Sequence, residues 1–180
     1  NTLLPDSNFS IKITGHTRCF RREAGSYGKD VRVLNRLHQF DKVEIVRIET
    51  PENAENAFKE MIEHVKGLLE KLNLQYRILK LCGGDTGFAA AITYDFEVYS
   101  AGQQKWLEVS SVSQFDTFQS NRLKLRYKDD DKNSKLCYTL NGSAMALPRI
   151  VAALLENHQG VYGIEVPDVL GPDTCFERIN

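Results

Sequence analysis

Cys19-Phe20-Arg21-Arg22-Glu23-Ala24-Gly25 and His38-Gln39-Phe40-Asp41-Lys42-Val43-Glu44 are two polar, extended stretches separated by a charged loop. Alternate side chains of an extended strand share a face, so Arg21 and Glu23 point one way, as do Phe40, Lys42 and Glu44. From Phe40 to Ile48, Val43, Ile45 and Ile48 alternate with Lys42, Glu44 and Arg47, the pattern of a half-buried strand. Ile11 to Phe20 also reads as extended. The loop between them carries Gly25, Ser26, Gly28, Lys29, Arg32 and Arg36. Two strands joined through such a loop predict an antiparallel pair.

Working outward, Thr50 and Pro51 mark a helix start, because proline is tolerated where the backbone N–H has no intrahelical partner. Ala54, Ala57, Phe58, Met61, Ile62, Val65, Leu68, Leu69 and Leu72 then recur at helical spacing, predicting a helix to about Leu72. Strands are expected at Gln75 to Cys82, Thr93 to Ser100, Lys105 to Ser113 and Leu136 to Leu140. Gly83-Gly84-Asp85 reads as a turn, Phe115 to about Tyr127 as a helix, and Ala144 to Asn157 as a further helix. Asp129 to Asn133 reads as an exposed loop. Most of these strands connect without a helical crossover. The expected fold class is therefore α+β, a mostly antiparallel sheet flanked by helices, in a single domain spanning residues 1–180.

Composition is that of an ordinary globular protein, with 42% hydrophobic and 26% charged residues. Ile150 to Leu155 is among the longest apolar runs, far short of the roughly 20 residues that a membrane span requires. A net charge of −1 gives no whole-molecule attraction to nucleic acid, so any electrostatic footprint is local. Cys19, Cys82, Cys137 and Cys175 form no CxxC pair, which supports neither a zinc site nor a redox motif. Free thiols in a reducing cytoplasm are the expectation.

Two segments carry more polar functionality than an ordinary core tolerates. The first is the strand pair with Arg21, Glu23, Arg36, Phe40 and Glu44. A guanidinium fixed on a strand suits a phosphate or carboxylate ligand, although a surface ion-pair ladder gives the same pattern. The second is Leu140-Asn141-Gly142-Ser143-Ala144-Met145-Ala146-Leu147-Pro148-Arg149, read as a strand, a small-residue turn and a helix. Gly142 and Ala144 let a ligand approach the backbone closely, and Asn141 and Ser143 offer hydrogen bonds. Gly83 to Gly87 lacks both the lysine ending of a P-loop and the spacing of a dinucleotide fold.

Together these segments resemble the two ATP-site signature motifs of class II aminoacyl-tRNA synthetases. Thr17 to Gly28 with His38 to Glu44, and Thr139-Leu140-Asn141-Gly142-Ser143, are similar to the seryl-tRNA synthetase version. So are Tyr94-Asp95-Phe96-Glu97-Val98 and Leu107-Glu108-Val109-Ser110-Ser111-Val112-Ser113. The resemblance runs in order through nearly the whole chain. It implies the class II catalytic fold, truncated, and an enzyme that activates serine with ATP and transfers it to tRNA(Ser).

The resemblance also implies a role for each matching residue. Arg21 holds the α-phosphate and the serine carboxylate, and Glu23 accepts from the adenine amino group. Phe40 stacks on the adenine, Arg149 lies on its other side and reaches the γ-phosphate, and Arg36 meets the terminal phosphates. Glu108 and Ser111 hold Mg²⁺, whose hard oxygen preference fits them. Glu44 reads the serine hydroxyl, with Asn141 and Ser143 nearby. The serine carboxylate needs no general base, so no Ser-His-Asp arrangement is expected, and His38 is read as structural.

The family's N-terminal tRNA-binding coiled-coil arm, its dimer-interface motif and its Thr-x-Glu segment find no match in Asn1 to Ser10. The resemblance implies a homodimeric parent enzyme and a 180-residue chain that alone is a poor catalyst. Ile92 stands where the family often has Lys, and Lys29 and Val33 replace an expected Arg and Gly. The other reading is a non-catalytic synthetase-like module that binds a nucleotide or an amino acid.

Overall fold

Period-two alternation in the strands produces one apolar and one polar face, and that division organises the molecule. A computed structural model describes residues 2–4, 9–22 and 36–180. Its central sheet has the order β2 (Ile11–Phe20), β3 (Gln39–Glu49), β9 (Tyr138–Ala146), β6 (Lys105–Gln114), β5 (Ile92–Ser100) and β4 (Tyr76–Lys80). Every neighbouring pair is antiparallel. β2 and β3 pair from Ile11↔Ile48 to Phe20↔Gln39, so the antiparallel pair read from the sequence is present.

Helices α1 (Pro51–Lys71) and α3 (Leu147–Asn157) cover the apolar face. α1 turns Ala54, Ala57, Phe58, Met61, Val65 and Leu69 inward at 3–4 spacing, and α3 adds Ile150 and Ala153. They close over Phe96, Val98, Val109, Val112 and Leu140 in one core. Each fully buried large side chain there contributes about 1.5–3 kcal/mol relative to exposure.

The polar face is open at one end and covered at the other. Leu125, Tyr127 and Cys137 form a second core with Leu4, Phe9 and Ile48. Its frame is β1 (Thr2–Leu4), β7 (Leu125–Lys128) and β8 (Ser134–Leu136), with β1 parallel to β7, next to the short helix α2 (Phe118–Leu123). Beyond α3, β10 (Gln159–Gly160), β11 (Gly163–Glu165) and β12 (Arg178–Ile179) make a small antiparallel sheet. Between β11 and β12 lies the short helix α4 (Gly171–Thr174). Gly163 adopts φ +118°, and a Cβ there would lie 2.4 Å from the Ile179 carbonyl oxygen.

Three sequence expectations are corrected. The helix read from Phe115 to Tyr127 is only Phe118–Leu123. Asp116 and Lys124 take left-handed conformations (φ 46° and 51°) on either side of it, and Leu125 starts a strand. Asn141 to Ala144 is no turn: β9 runs on to Ala146, and α3 begins at Leu147 with Pro148 in its first turn. Arg47, read as an outward residue of β3, faces the α1 side and is buried against Glu49. The Gly83 turn is present, with Asp85 and Thr86 N–H groups donating to the Cys82 carbonyl.

Candidate active site

Two irregularities in strand register put the site residues on one face. Across β5 and β6, Glu97 opposes Glu108 while Phe96 opposes Ser110, so Val109 is an extra residue. Without it, Glu108 and Ser111 would point to opposite faces; with it, both join Asp95 and Glu97 on the polar side. Across β3 and β9, Val43 opposes Met145 while Glu44 opposes Ser143, making Ala144 the extra residue. Ser143 and Ala146 therefore share the face of Lys42 and Glu44. Gly142 lets β9 and β6 close up, since a Cβ there would sit 2.5 Å from the Ser111 carbonyl oxygen.

A cleft of about 220 Å³ opens on this face, lined by Arg21, Arg36, Phe40, Lys42, Glu108, Ser143 and Arg149 among others. The Arg21 guanidinium lies over the Phe40 ring, 4.5 Å from its centroid. Its backbone is tied across the strand pair, Arg21 N–H donating to the His38 carbonyl at 2.9 Å. His38 Nδ1 lies 3.3 Å from the Arg21 carbonyl, consistent with a structural part. Arg149, in the first turn of α3, reaches back over the sheet: its Nη1 donates to the Glu108 carbonyl and lies 3.5 Å from the Glu108 carboxylate.

Beside the cleft, Glu44 Oε2 accepts from the Lys42 ammonium at 2.9 Å and from the Ser143 hydroxyl at 3.2 Å. Asn141 lies two residues further along β9 and opposes Ser113 of β6. Its amide nitrogen donates to Gln119 of α2 at 3.1 Å. Ser111 opposes both Asp95 and Ser143 and hydrogen-bonds to Asp95.

The acidic side of the site is electrostatically loaded. Burial pushes the Asp95 carboxyl up from its ordinary range; Glu97 adds to this, while Ser111 and Arg149 oppose it. Glu108 is also pushed up, first by desolvation and then by the charge of Asp95, with Arg149 opposing. Asp95 Oδ1 is buried without a hydrogen-bond partner. A cation near Glu108 and Ser111 would relieve both. Among the described residues, no group of three or more His, Cys, Asp or Glu side chains is placed to hold a metal by itself.

Of the sequence-predicted residues, Arg21, Arg36, Phe40, Glu108, Ser143 and Arg149 meet at the cleft. Glu44 joins them through Ser143, and Ser111 and Asn141 share the face. Glu23 lies outside the described residues, as do Lys29 and Val33. The structure also brings Lys42, Asp95 and Gln119 against these residues, and the sequence reading gave none of the three a role. For Lys42 a signal was present, its i+2 relation to Glu44, and Asp95 stands in the family-like Tyr94 to Val98 segment. Gln119 enters only through its neighbour Asn141.

The cleft gathers several cations beside an aromatic ring at one end and a hydroxyl–carboxylate pair at the other. It can therefore hold a polyanion with a flat base next to a small polar molecule. An antiparallel sheet backed by two helices, with such a cleft on its open face, is the class II synthetase architecture. The chain belongs to the tRNA synthetase class II core domain family (G, H, P, S and T), whose model matches residues 2–158. It is 55% identical over 157 residues to the serine–tRNA ligase of Methylacidiphilum infernorum, covering 87% of this chain and 37% of that protein. To the serine–tRNA ligase of Salinibacter ruber it is 54% identical over 166 residues, 91% of this chain and 39% of that one. The crystal structure of seryl-tRNA synthetase from Pyrococcus horikoshii complexed with ATP superposes with a TM-score of 0.93 at 35% identity. That match covers 100% of this chain and 41% of the other. The chain thus spans about two fifths of the length of these relatives.

Proposed function

We propose that the chain supplies the ATP- and serine-binding core of a serine–tRNA ligase. The observation that carries this reading is the junction, in one cleft, of the Arg21–Phe40 stack, Arg149 and the Lys42–Glu44–Ser143 cluster. In the first step a serine carboxylate oxygen attacks the α-phosphorus of ATP. The new O–P bond forms as the bond to the β-phosphate bridging oxygen breaks, and pyrophosphate leaves. A hydroxyl of the 3′-terminal ribose of tRNA(Ser) then attacks the seryl carbonyl carbon, the bond to the adenylate oxygen breaks, and AMP leaves.

The protein's task in such a step is to hold two anions in line and neutralise developing charge. Arg21 moves from the Phe40 ring to the carboxylate and α-phosphate, which leaves the ring for the adenine. Arg149 closes from the α3 side, and Arg36 takes the terminal phosphates. Glu108 and Ser111 would hold Mg²⁺, which supplies charge neutralisation at the phosphates. Glu44 Oε1, the oxygen not bound by Lys42 and Ser143, accepts from the serine hydroxyl. Alanine leaves that acceptor without its partner, and an acceptor so unpaired is a basis for rejection.

Thermal shift with Mg-ATP and with sulfamoyl-adenylate analogues of serine, alanine and threonine tests this, because bound ligand raises stability as RT ln(1 + [L]/Kd). A rise with Mg-ATP, and a larger one with the seryl analogue than with the other two, is expected. Equal shifts with all three analogues would remove the serine assignment, and no shift with any ligand would remove the nucleotide one.

A further inference from the structure

Asn141 and Thr139 lie on the polar face of β9, opposite Val46 and Ile48 of β3, of which Ile48 packs on the second core; both hydrogen-bond to Gln119 of α2. Its Oε1 accepts two hydrogen bonds, from the Thr139 hydroxyl at 2.8 Å and from Asn141 Nδ2 at 3.1 Å. We propose that Gln119 is a positioning residue for amino-acid selection: it turns the Asn141 amide so that its carbonyl oxygen meets the ligand. This rests on the reading of the Glu44 end as the serine subsite.

The argument is one of donors and acceptors. A side-chain amide has a donor end and an acceptor end. With the Asn141 donor end committed to Gln119, its carbonyl oxygen is left to accept elsewhere on the face that Asn141 shares with Ser143 and Ser113. An acceptor there suits the ammonium or hydroxyl of a small hydroxy amino acid; a reversed amide would present a second donor and repel the ammonium.

Gln119 is itself firmly held. The neighbouring Ser120 is fully buried, with its hydroxyl 2.6 Å from the Cys137 carbonyl. Left-handed residues at Asp116 and Lys124 fix both ends of the helical turn, and Thr139 N–H donates to the Asp116 carbonyl. Reversing Gln119 would face its amide hydrogens with the amide hydrogens of Asn141. The two amides therefore turn together or not at all.

The test is the affinity of the full chain for the seryl sulfamoyl-adenylate and, separately, for Mg-ATP. Gln119→Leu and Asn141→Ala should each weaken the seryl analogue about tenfold while changing ATP by less than about twofold. Combined, they should do no more than either alone, since they act through one contact. Gln119→Glu keeps an acceptor oxygen for both donors and should restore near-native affinity; Thr139→Val should lower the melting temperature but not the affinity. Gln119→Met is the second variant where leucine prevents folding. If Asn141→Ala weakens the seryl analogue and neither the Leu nor the Met variant does, the inference falls and the proposed function stands. Equal losses for ATP, or Thr139→Val matching Gln119→Leu, would reduce Gln119 to a general structural role and overturn it. If the unsubstituted chain does not prefer the seryl analogue, the proposed function fails first and takes this inference with it.

Discussion

Lys42 and Glu44 are two residues apart on one strand, each with 27% of its side chain exposed, and their charges meet at 2.9 Å. A lysine so placed occupies one of the carboxylate's oxygens. Lys42→Met keeps the stem and removes the charge. Because Lys42 also lines the cleft, nucleotide affinity will fall as well, so the informative quantity is a ratio. The preference for the seryl over the alanyl analogue should shrink on the order of tenfold, since the acceptor loses its fixed position. An unchanged ratio of dissociation constants would show that Glu44 holds its place unaided. Asp95 is the converse case, a carboxylate with a buried oxygen and no donor for it. Asp95→Asn should raise the melting temperature at neutral pH while weakening Mg-ATP binding, because it removes a desolvated charge that the cation needs. Loss of stability together with loss of binding would mean that Asp95 is held by contacts other than Ser111. Arg21, Phe40, Glu44 and Arg149 were legible in the sequence, because they stand in locally unusual polar patterns and match a family motif. Asp95 stood in a family-like segment, but its contact with Ser111, 16 positions away, was not legible, and nothing local pointed to the contact of Gln119 with Asn141, 22 positions away.

At the scale of elements, β9 is the strand that local reasoning misjudged and the one on which the site depends most. Asn141, Gly142 and Ser143 look like turn chemistry. They stand in a central strand because its polar residues face a cleft and its glycine faces a neighbouring backbone. Gly142→Ala would place a Cβ 2.5 Å from the Ser111 carbonyl oxygen and 2.9 Å from Val112 Cα, and neither backbone atom can yield without parting β6 from β9. A loss of about 3 kcal/mol is expected in denaturant unfolding, with Mg-dependent nucleotide binding falling further as Ser111 shifts. A variant of native stability would show that the sheet has slack at this point. The long helix α1 and the strands β3, β5 and β6 were legible, since apolar spacing alone dictates them. The register shifts at Val109 and Ala144 were not. Each is set by how two distant strands pair, and each reverses which side chains reach the site.

For the whole molecule, the two faces of the sheet have different tasks: α1 and α3 stabilise one so that the other can expose charge. A charge cluster on the stabilised face centres on Arg47, whose guanidinium contacts Glu49 at 2.6 Å and Glu60 at 2.5 Å and lies 3.3 Å from the Ser10 hydroxyl. Asn53 completes the shell by donating to Glu49 at 2.7 Å. The cluster joins the start of β2, the end of β3 and the first turns of α1, so it locks helix to sheet. Removing Arg47 alone would strand Glu49 as a buried, uncompensated charge. Within this cluster Glu60 is the exposed member, and its carboxyl is held below the ordinary range by Arg47 first and by Lys12 second. A carboxylate depressed in the folded state contributes stability that is present above its unfolded pKa and lost as pH falls through the folded value. Glu60→Gln should therefore melt below the unsubstituted chain at neutral pH. The gap should close as pH drops below the depressed Glu60 value, where both proteins carry a neutral side chain at that position. Thermal melts of the two proteins across that range read the gap directly. A gap that persists in acid would mean that Glu60 acts through packing of its stem on α1 and β2, and that Arg47 draws its stabilisation from Glu49 alone.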